Sequence, residues 1–150
     1  MSRARWLAAA AFAAALVMGC GKTPPPIVPA GGVVRLDGKP LNNVEVLFVP
    51  QIDFGPEYVA RGVTDEEGRF SLRCNGQPGA CACEHRVMIV EAELPKNVKG
   101  ESLQAQQELA EYLQSLGGRP LPQKYASLVD SPLTVRVTAG QSEYPLDLAR

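Results

Sequence analysis

Val33-Val34-Arg35-Leu36-Asp37-Gly38-Lys39-Pro40-Leu41, followed at once by Val44-Glu45-Val46-Leu47-Phe48-Val49-Pro50, is the stretch that decides the fold. Asp37-Gly38 is a hairpin dipeptide, because a tight two-residue turn needs positive φ and glycine takes it without a Cβ clash. Pro40 cannot donate a ladder hydrogen bond and starts the loop into the next strand. Val44–Val49 is rich in β-branched and aromatic residues and stops at Pro50. The reading is two strands, close in sequence, at the start of an antiparallel sheet.

Toward the C-terminus the same grammar repeats. Tyr58–Thr64 reads as a strand, Asp65-Glu66-Glu67-Gly68 as a turn, and Arg69–Cys74 alternates with period two. Phe70, the first large apolar side chain after that turn, is expected to plug one end of the core. His85–Ala92 carries Val87, Met88, Ile89 and Val90. Leu133–Val137 alternates again, Ala139-Gly140 turns the chain, and Glu143–Leu148 closes it. This makes about seven strands with turn signals between them, the pattern of an all-β antiparallel sandwich. The exception is residues 101–116. Leu103, Leu109, Leu113 and Leu116 recur at helical spacing there, and Gly117-Gly118 supplies the stop. One inserted α-helix follows, its apolar stripe expected to pack on the sandwich, with docking of a partner as the alternative.

Toward the N-terminus, residues 21–32 read GKTPPPIVPAGG. Such a run forms neither helix nor central strand, and its three consecutive prolines favour an extended spacer. Before it, Arg3 and Arg5 precede the unbroken apolar run Leu7–Met18, twelve residues long. That suits a signal peptide and falls short of the roughly 18 residues of a membrane span. The run ends in Val17-Met18-Gly19-Cys20. Here the sequence resembles a bacterial lipoprotein signal, which implies cleavage after residue 19 and lipidation of Cys20. The alternative is a plain secretory signal with an incidental cysteine.

The whole chain has 15 Lys and Arg against 16 Asp and Glu; without Arg3 and Arg5, 13 bases face 16 acids, a net charge of −3. No basic stripe for nucleic acid follows from this balance. With 45% hydrophobic and 21% charged residues over 150 positions, the composition is that of one globular domain. The expected organisation is a signal at 1–19, a lipidated Cys and Pro/Gly-rich tether at 20–31, and a domain at 32–150.

Several segments together resemble the carboxypeptidase regulatory-like, or transthyretin-like, domain found in small bacterial cell-envelope lipoproteins. They are Gly32–Leu41, Val44–Pro50, Thr64–Phe70, Leu121–Tyr125, Ser131–Val135 and Gly140. The resemblance implies an immunoglobulin/transthyretin-like β-sandwich without catalytic activity. The Cys-rich loop at 74–85 and the long helix depart from that pattern. Tyr125 is expected to pack its ring inward with its hydroxyl at the surface.

Chemistry-bearing residues are few. Cys74, Cys81, Cys83 and His85 fall within twelve positions. A disulfide from Cys74 to Cys81 or Cys83 would close the hairpin between two strands, the shorter loop favouring Cys81. A metal site is the weaker alternative: on an extended strand, Cys81 and His85 would stand about 13 Å apart, so chelation needs the loop to coil. Asp65, Glu66 and Glu67 lack the donor spacing of a calcium loop. Ser127, Asp130, Ser131 and Lys124 show no nucleophile motif. Phe54 and Tyr58, in a Gly/Pro-containing loop, are candidates for a binding patch. The expected protein is an exported, membrane-anchored envelope lipoprotein, facing the periplasm or on the outer membrane. It requires no cofactor, performs no catalysis, and acts as a structural or protein-interaction module toward an envelope protein or the cell wall. The alternative is a ligand-binding module for metal, through residues 74–85, or for carbohydrate, through edge loops.

Overall fold

The structure, a computed structural model, describes residues 22–150. The expected signal segment and Cys20 lie outside the described residues. The described chain is mostly β-sheet, with many antiparallel pairings and a single α-helix, consistent with an all-β sandwich.

Strands β1 (Ile27–Val28), β2 (Gly31–Leu36), β3 (Lys39–Pro40) and β4 (Val44–Pro50) come first. Asp37 and Gly38 have φ of 51° and 82°, the positive pair that matches a hairpin turn to strand twist. Strands β2 and β3 pair antiparallel across them. Next come β5 (Ala60–Val63), β6 (Arg69–Ser71) and β7 (Arg73–Cys74). Between β5 and β6, Asp65 caps its own turn: its carboxylate accepts from the Glu67 and Arg69 amides at 3.0 and 2.8 Å. The alternating run 69–74 is therefore two strands, and they serve different sheets. Strand β6 pairs with β2, and β7 pairs with β5.

Strands β8 (Gln77–Pro78), β9 (Ala80–Cys81) and the long β10 (Glu84–Glu91) follow. After helix α1 (Leu103–Ser115) the chain ends with β11 (Thr134–Arg136) and β12 (Leu146–Leu148). One sheet runs β11-β10-β4-β5-β7-β8. A second runs β12-β2-β3, with β6 also on β2, and β1 and β9 form a two-stranded sheet of their own. The pleat decides which side chains enter the space between the two larger sheets. Val44, Val46 and Phe48 of β4 and His85, Val87 and Ile89 of β10 are buried, while the residues between them are not. Val34, Leu36, Leu146 and Leu148 close the core from the second sheet. Each such apolar side chain removed from water contributes roughly 1.5–3 kcal/mol.

Four details depart from the sequence reading. Strand β12 runs parallel to β2 rather than antiparallel. It arrives by a long connection through β10, α1 and β11, and only a tight hairpin enforces antiparallel pairing. The folded part starts before residue 32: β1 lies within the Pro/Gly-rich stretch and Ala30 is buried. The Tyr125 ring is buried as expected, but its hydroxyl is not left to solvent; it accepts from the Ala149 amide at 2.9 Å, pinning the C-terminal strand. Helix α1 starts where Ser102 accepts from the Ala105 amide at 3.1 Å. Its leucine stripe does not pack as a unit. Leu103 is 79% and Leu113 53% exposed, and Ala105 is the helix residue that is buried. The helix leans on the 3-10 turn Lys96–Val98 and, through a hydrogen bond from the Asn43 side-chain Nδ2 to the Tyr112 hydroxyl, on the residue just before β4.

Candidate functional site: the cysteine hairpin and its imidazole

Residues 74–85 bend back twice. Asn75 and Gly76 take φ of 48° and 74° in the turn from β7 to β8. Gly79, at φ 117°, lets the next segment pass against the chain's beginning: a Cβ there would stand 1.9 Å from the Val28 carbonyl oxygen. Strand β9 then pairs with β1, Ile27 opposite Cys81 and Val28 opposite Ala80. The Cys83 amide donates back to the Cys81 carbonyl at 2.8 Å. That turn supplies the coiling which an extended strand lacks.

The four expected side chains consequently meet, in two pairs. Cys74 and Cys81 are both buried in one core cluster, on strands β7 and β9, which pack against each other. The Cys74 thiol also donates to the Tyr58 carbonyl at 3.3 Å. Cys83 is half-buried, with its sulfur 3.4 Å from His85 Nε2. All three sulfurs are thiols in the structure. Burial pushes Cys74 up to about 12 and Cys83 up to about 11, and it raises Cys81 as well. None is a ready thiolate at neutral pH. Among the described residues, no three His, Cys, Asp or Glu side chains converge to hold one metal ion.

His85 is fully buried. Its Nε2 lies 2.8 Å from the Cys81 carbonyl oxygen. A carbonyl only accepts, so Nε2 carries the proton of the neutral ring and Nδ1 is left as a bare acceptor. Nδ1 has no hydrogen-bond partner among the described residues. The ring packs against Phe48 at 5.7 Å between centroids. Burial lowers the imidazole pKa below its ordinary 6.5. Above pH 6.5 both folded and unfolded chains carry a neutral ring. Below it the unfolded chain takes up a proton that the folded chain refuses, so stability falls with pH. This one group contributes up to about 1.4 kcal/mol per pH unit until the folded pKa is reached. Urea melts between pH 7.5 and 5.5 check this: His85→Leu should flatten the decline, and an unchanged slope would rule His85 out as its source.

The remaining candidates stand elsewhere in the fold. Phe54 and Tyr58 stack on each other at 5.4 Å, and Tyr58 also packs on the core. Ser131 is buried and donates to the Val87 carbonyl at 2.5 Å. The Ser127 hydroxyl accepts from the Asp130 amide at 3.3 Å. Lys124 lies over the Tyr125 ring at 5.0 Å. Sequence reasoning passed over Tyr144. Its hydroxyl donates to the Gln141 carbonyl at 2.8 Å and accepts from the Thr138 amide at 3.0 Å, tying the last turn to the core. A single Tyr in a loop-rich tail offers no periodic signal for such a role. It passed over, too, an apolar groove of about 450 Å³ between Leu94 and α1, lined by Tyr112, Leu113 and Leu116. Among the described residues no helix is long and apolar enough to cross a membrane. Compared with known proteins, the chain matches no family model, no curated protein and no solved structure.

Proposed function

We propose that the chain is an envelope lipoprotein: an immunoglobulin/transthyretin-like β-sandwich, held to a membrane by lipid on Cys20, serving as a non-enzymatic structural or protein-interaction module. The observation that carries the reading is the position of Cys20. It stands where the apolar run Leu7–Met18 stops and a spacer with three consecutive prolines begins. A lipidated cysteine there would hang the domain from the bilayer without a spanning helix, since each buried CH₂ contributes about 0.8 kcal/mol and more than one acyl chain gives a lasting anchor. The interior chemistry supports a non-catalytic role. Burial pushes the thiols of Cys74 and Cys83 away from the nucleophilic thiolate form, His85 is covered by Phe48, and Ser131 is committed to a strand carbonyl. The exposed ion pairs, such as Arg35–Asp147 and Arg136–Glu84, are solvated surface pairs worth little in stability.

The test is fractionation of cells making the parent and Cys20→Ser. The parent should partition with membranes, enter the detergent phase and take up a fatty-acid label at Cys20. The variant should take up none, and should be soluble or retain residues 1–19. A Cys20→Ser protein that is cleaved and fractionates like the parent would sink the reading.

A further inference from the structure

Strand β9 has two sets of partners, one on each side of the hairpin. Through its backbone it holds the beginning of the chain. Ile27 and Val28 are paired with Cys81 and Ala80, and the Ala82 amide donates to the Pro26 carbonyl at 2.9 Å. On its other side it packs against β7, where Cys74 and Cys81 lie buried in one core cluster. A two-residue ladder is marginal by itself. Its neighbourhood is nevertheless closely fitted: Ile27 and Val28 pack on the core, and Gly79 admits the Val28 carbonyl at a distance no Cβ would allow. Whatever fixes β9 therefore fixes where the spacer leaves the domain. With β1 in place the chain is held from Pro26 onward. With β1 released it is held only from Ala30 onward, which adds about 13 Å of extended chain to the spacer.

We propose that Cys74 and Cys81 form a disulfide that locks β9 and so holds residues 26–28 of the spacer against the sandwich, with Cys83 left as the thiol. This rests on the hairpin alone and holds whether or not Cys20 carries lipid. Bond formation joins the two sulfurs, releases their two protons and passes two electrons to an incoming disulfide of a protein or low-molecular-weight oxidant. The oxidant's own S–S bond breaks to two thiols, through a mixed disulfide. Because both sulfurs are buried, the exchange runs on the opened hairpin, during folding, and the finished bond is shielded from reductants. Cys83 is the wrong partner for Cys74: its backbone turns away at Ala82, and its sulfur faces His85.

The experiment uses the full-length protein purified under oxidising conditions, with the parent compared to Cys83→Ala and Cys81→Ala. Non-reducing peptide mapping should find Cys74 joined to Cys81, and one alkylatable thiol among the three, lost in Cys83→Ala. Amide exchange is then followed in oxidised protein and in protein unfolded, reduced and refolded in reductant. On reduction, exchange at Val28 and Ala82, the amides at the bonded positions of this ladder, should accelerate at least tenfold, the scale expected from releasing a loop of about eight residues. The β4 and β10 amides should keep their protection. Cys81→Ala should behave as the reduced parent, and Cys83→Ala as the oxidised parent. Three alkylatable thiols, or a bond to Cys83, would overturn the pairing. A Cys74–Cys81 bond with identical exchange at Val28 and Ala82 in both states would overturn the lock. Loss of protection throughout the molecule would overturn it as well, since the bond would then support the whole fold and not this strand.

Discussion

Phe48→Ala should cost about 4–5 kcal/mol, the upper part of the range for a buried aromatic truncated to alanine. Phe48 is fully buried on β4, between the neighbouring strands β5 and β10. Its ring meets Phe70 at 6.2 Å, Tyr144 at 6.4 Å and His85 at 5.7 Å between centroids. Aromatic pairs of this kind contribute roughly 0.5–1.5 kcal/mol each beyond the area they bury. The two sheets cannot close over the hole, because β4 is laddered on both sides and its register is held over seven residues on β10. Stability of a domain is only about 5–15 kcal/mol in total, so the variant should be near its unfolding midpoint in mild urea. A shift in the urea midpoint at unchanged slope measures the loss. A second readout is specific to this geometry. With Phe48 gone, water reaches the imidazole, its pKa returns toward the ordinary value, and the fall in stability below pH 6.5 should flatten. A loss under about 2 kcal/mol, with that decline intact, would mean that the ring is not the centre of the core.

How much of this could be read from the chain depends on how local each cause is. The β2–β3 hairpin is decided by Asp37-Gly38 alone, and β4 and β10 by runs of β-branched residues, so both stand where spacing puts them. Helix α1 is bounded by its own Ser102 cap and by Gly117-Gly118, and its limits fall within two residues of the expected ones. Its buried face was not legible in the same way. Spacing says which side chains share a face, but Leu103 and Leu113 stay exposed because the fold brings nothing over them. The site divides similarly. Composition marks Cys74, Cys81, Cys83 and His85, yet their pairing depends on the turn at Ala82 and on β1 crossing from the far end of the sequence. Period-two reasoning places Cys81 and His85 far apart; the backbone instead brings His85 Nε2 to the Cys81 carbonyl.

Gly32→Ala should be severely damaging for so small a change, costing about 3 kcal/mol or more, beyond the usual overpacking range. By composition Gly31-Gly32 closes a linker, with the domain starting at residue 32. In the fold both glycines belong to β2, and their missing side chains let other strands approach. A Cβ on Gly32 would sit 2.1 Å from the Tyr144 carbonyl oxygen and 3.2 Å from the Phe70 ring. Neither neighbour can give way cheaply. Tyr144 is fixed by its amide on the Gly31 carbonyl at 2.8 Å and by its hydroxyl on Thr138 and Gln141. To make room, the segment leading into β12 must move, taking Leu146 and Leu148 out of the core. Gly140→Ala is the matched control: it adds the same methyl where nothing lies within 4 Å, so it should stay within about 0.5 kcal/mol of the parent. Urea melts of the two variants, with amide exchange at Tyr144 and Leu146, separate the explanations. If Gly32→Ala melts like Gly140→Ala, residue 32 belongs to the linker after all. If it melts early and exchange accelerates first at β12, the parallel pairing of the C-terminal strand with β2 is what the glycine exists to permit.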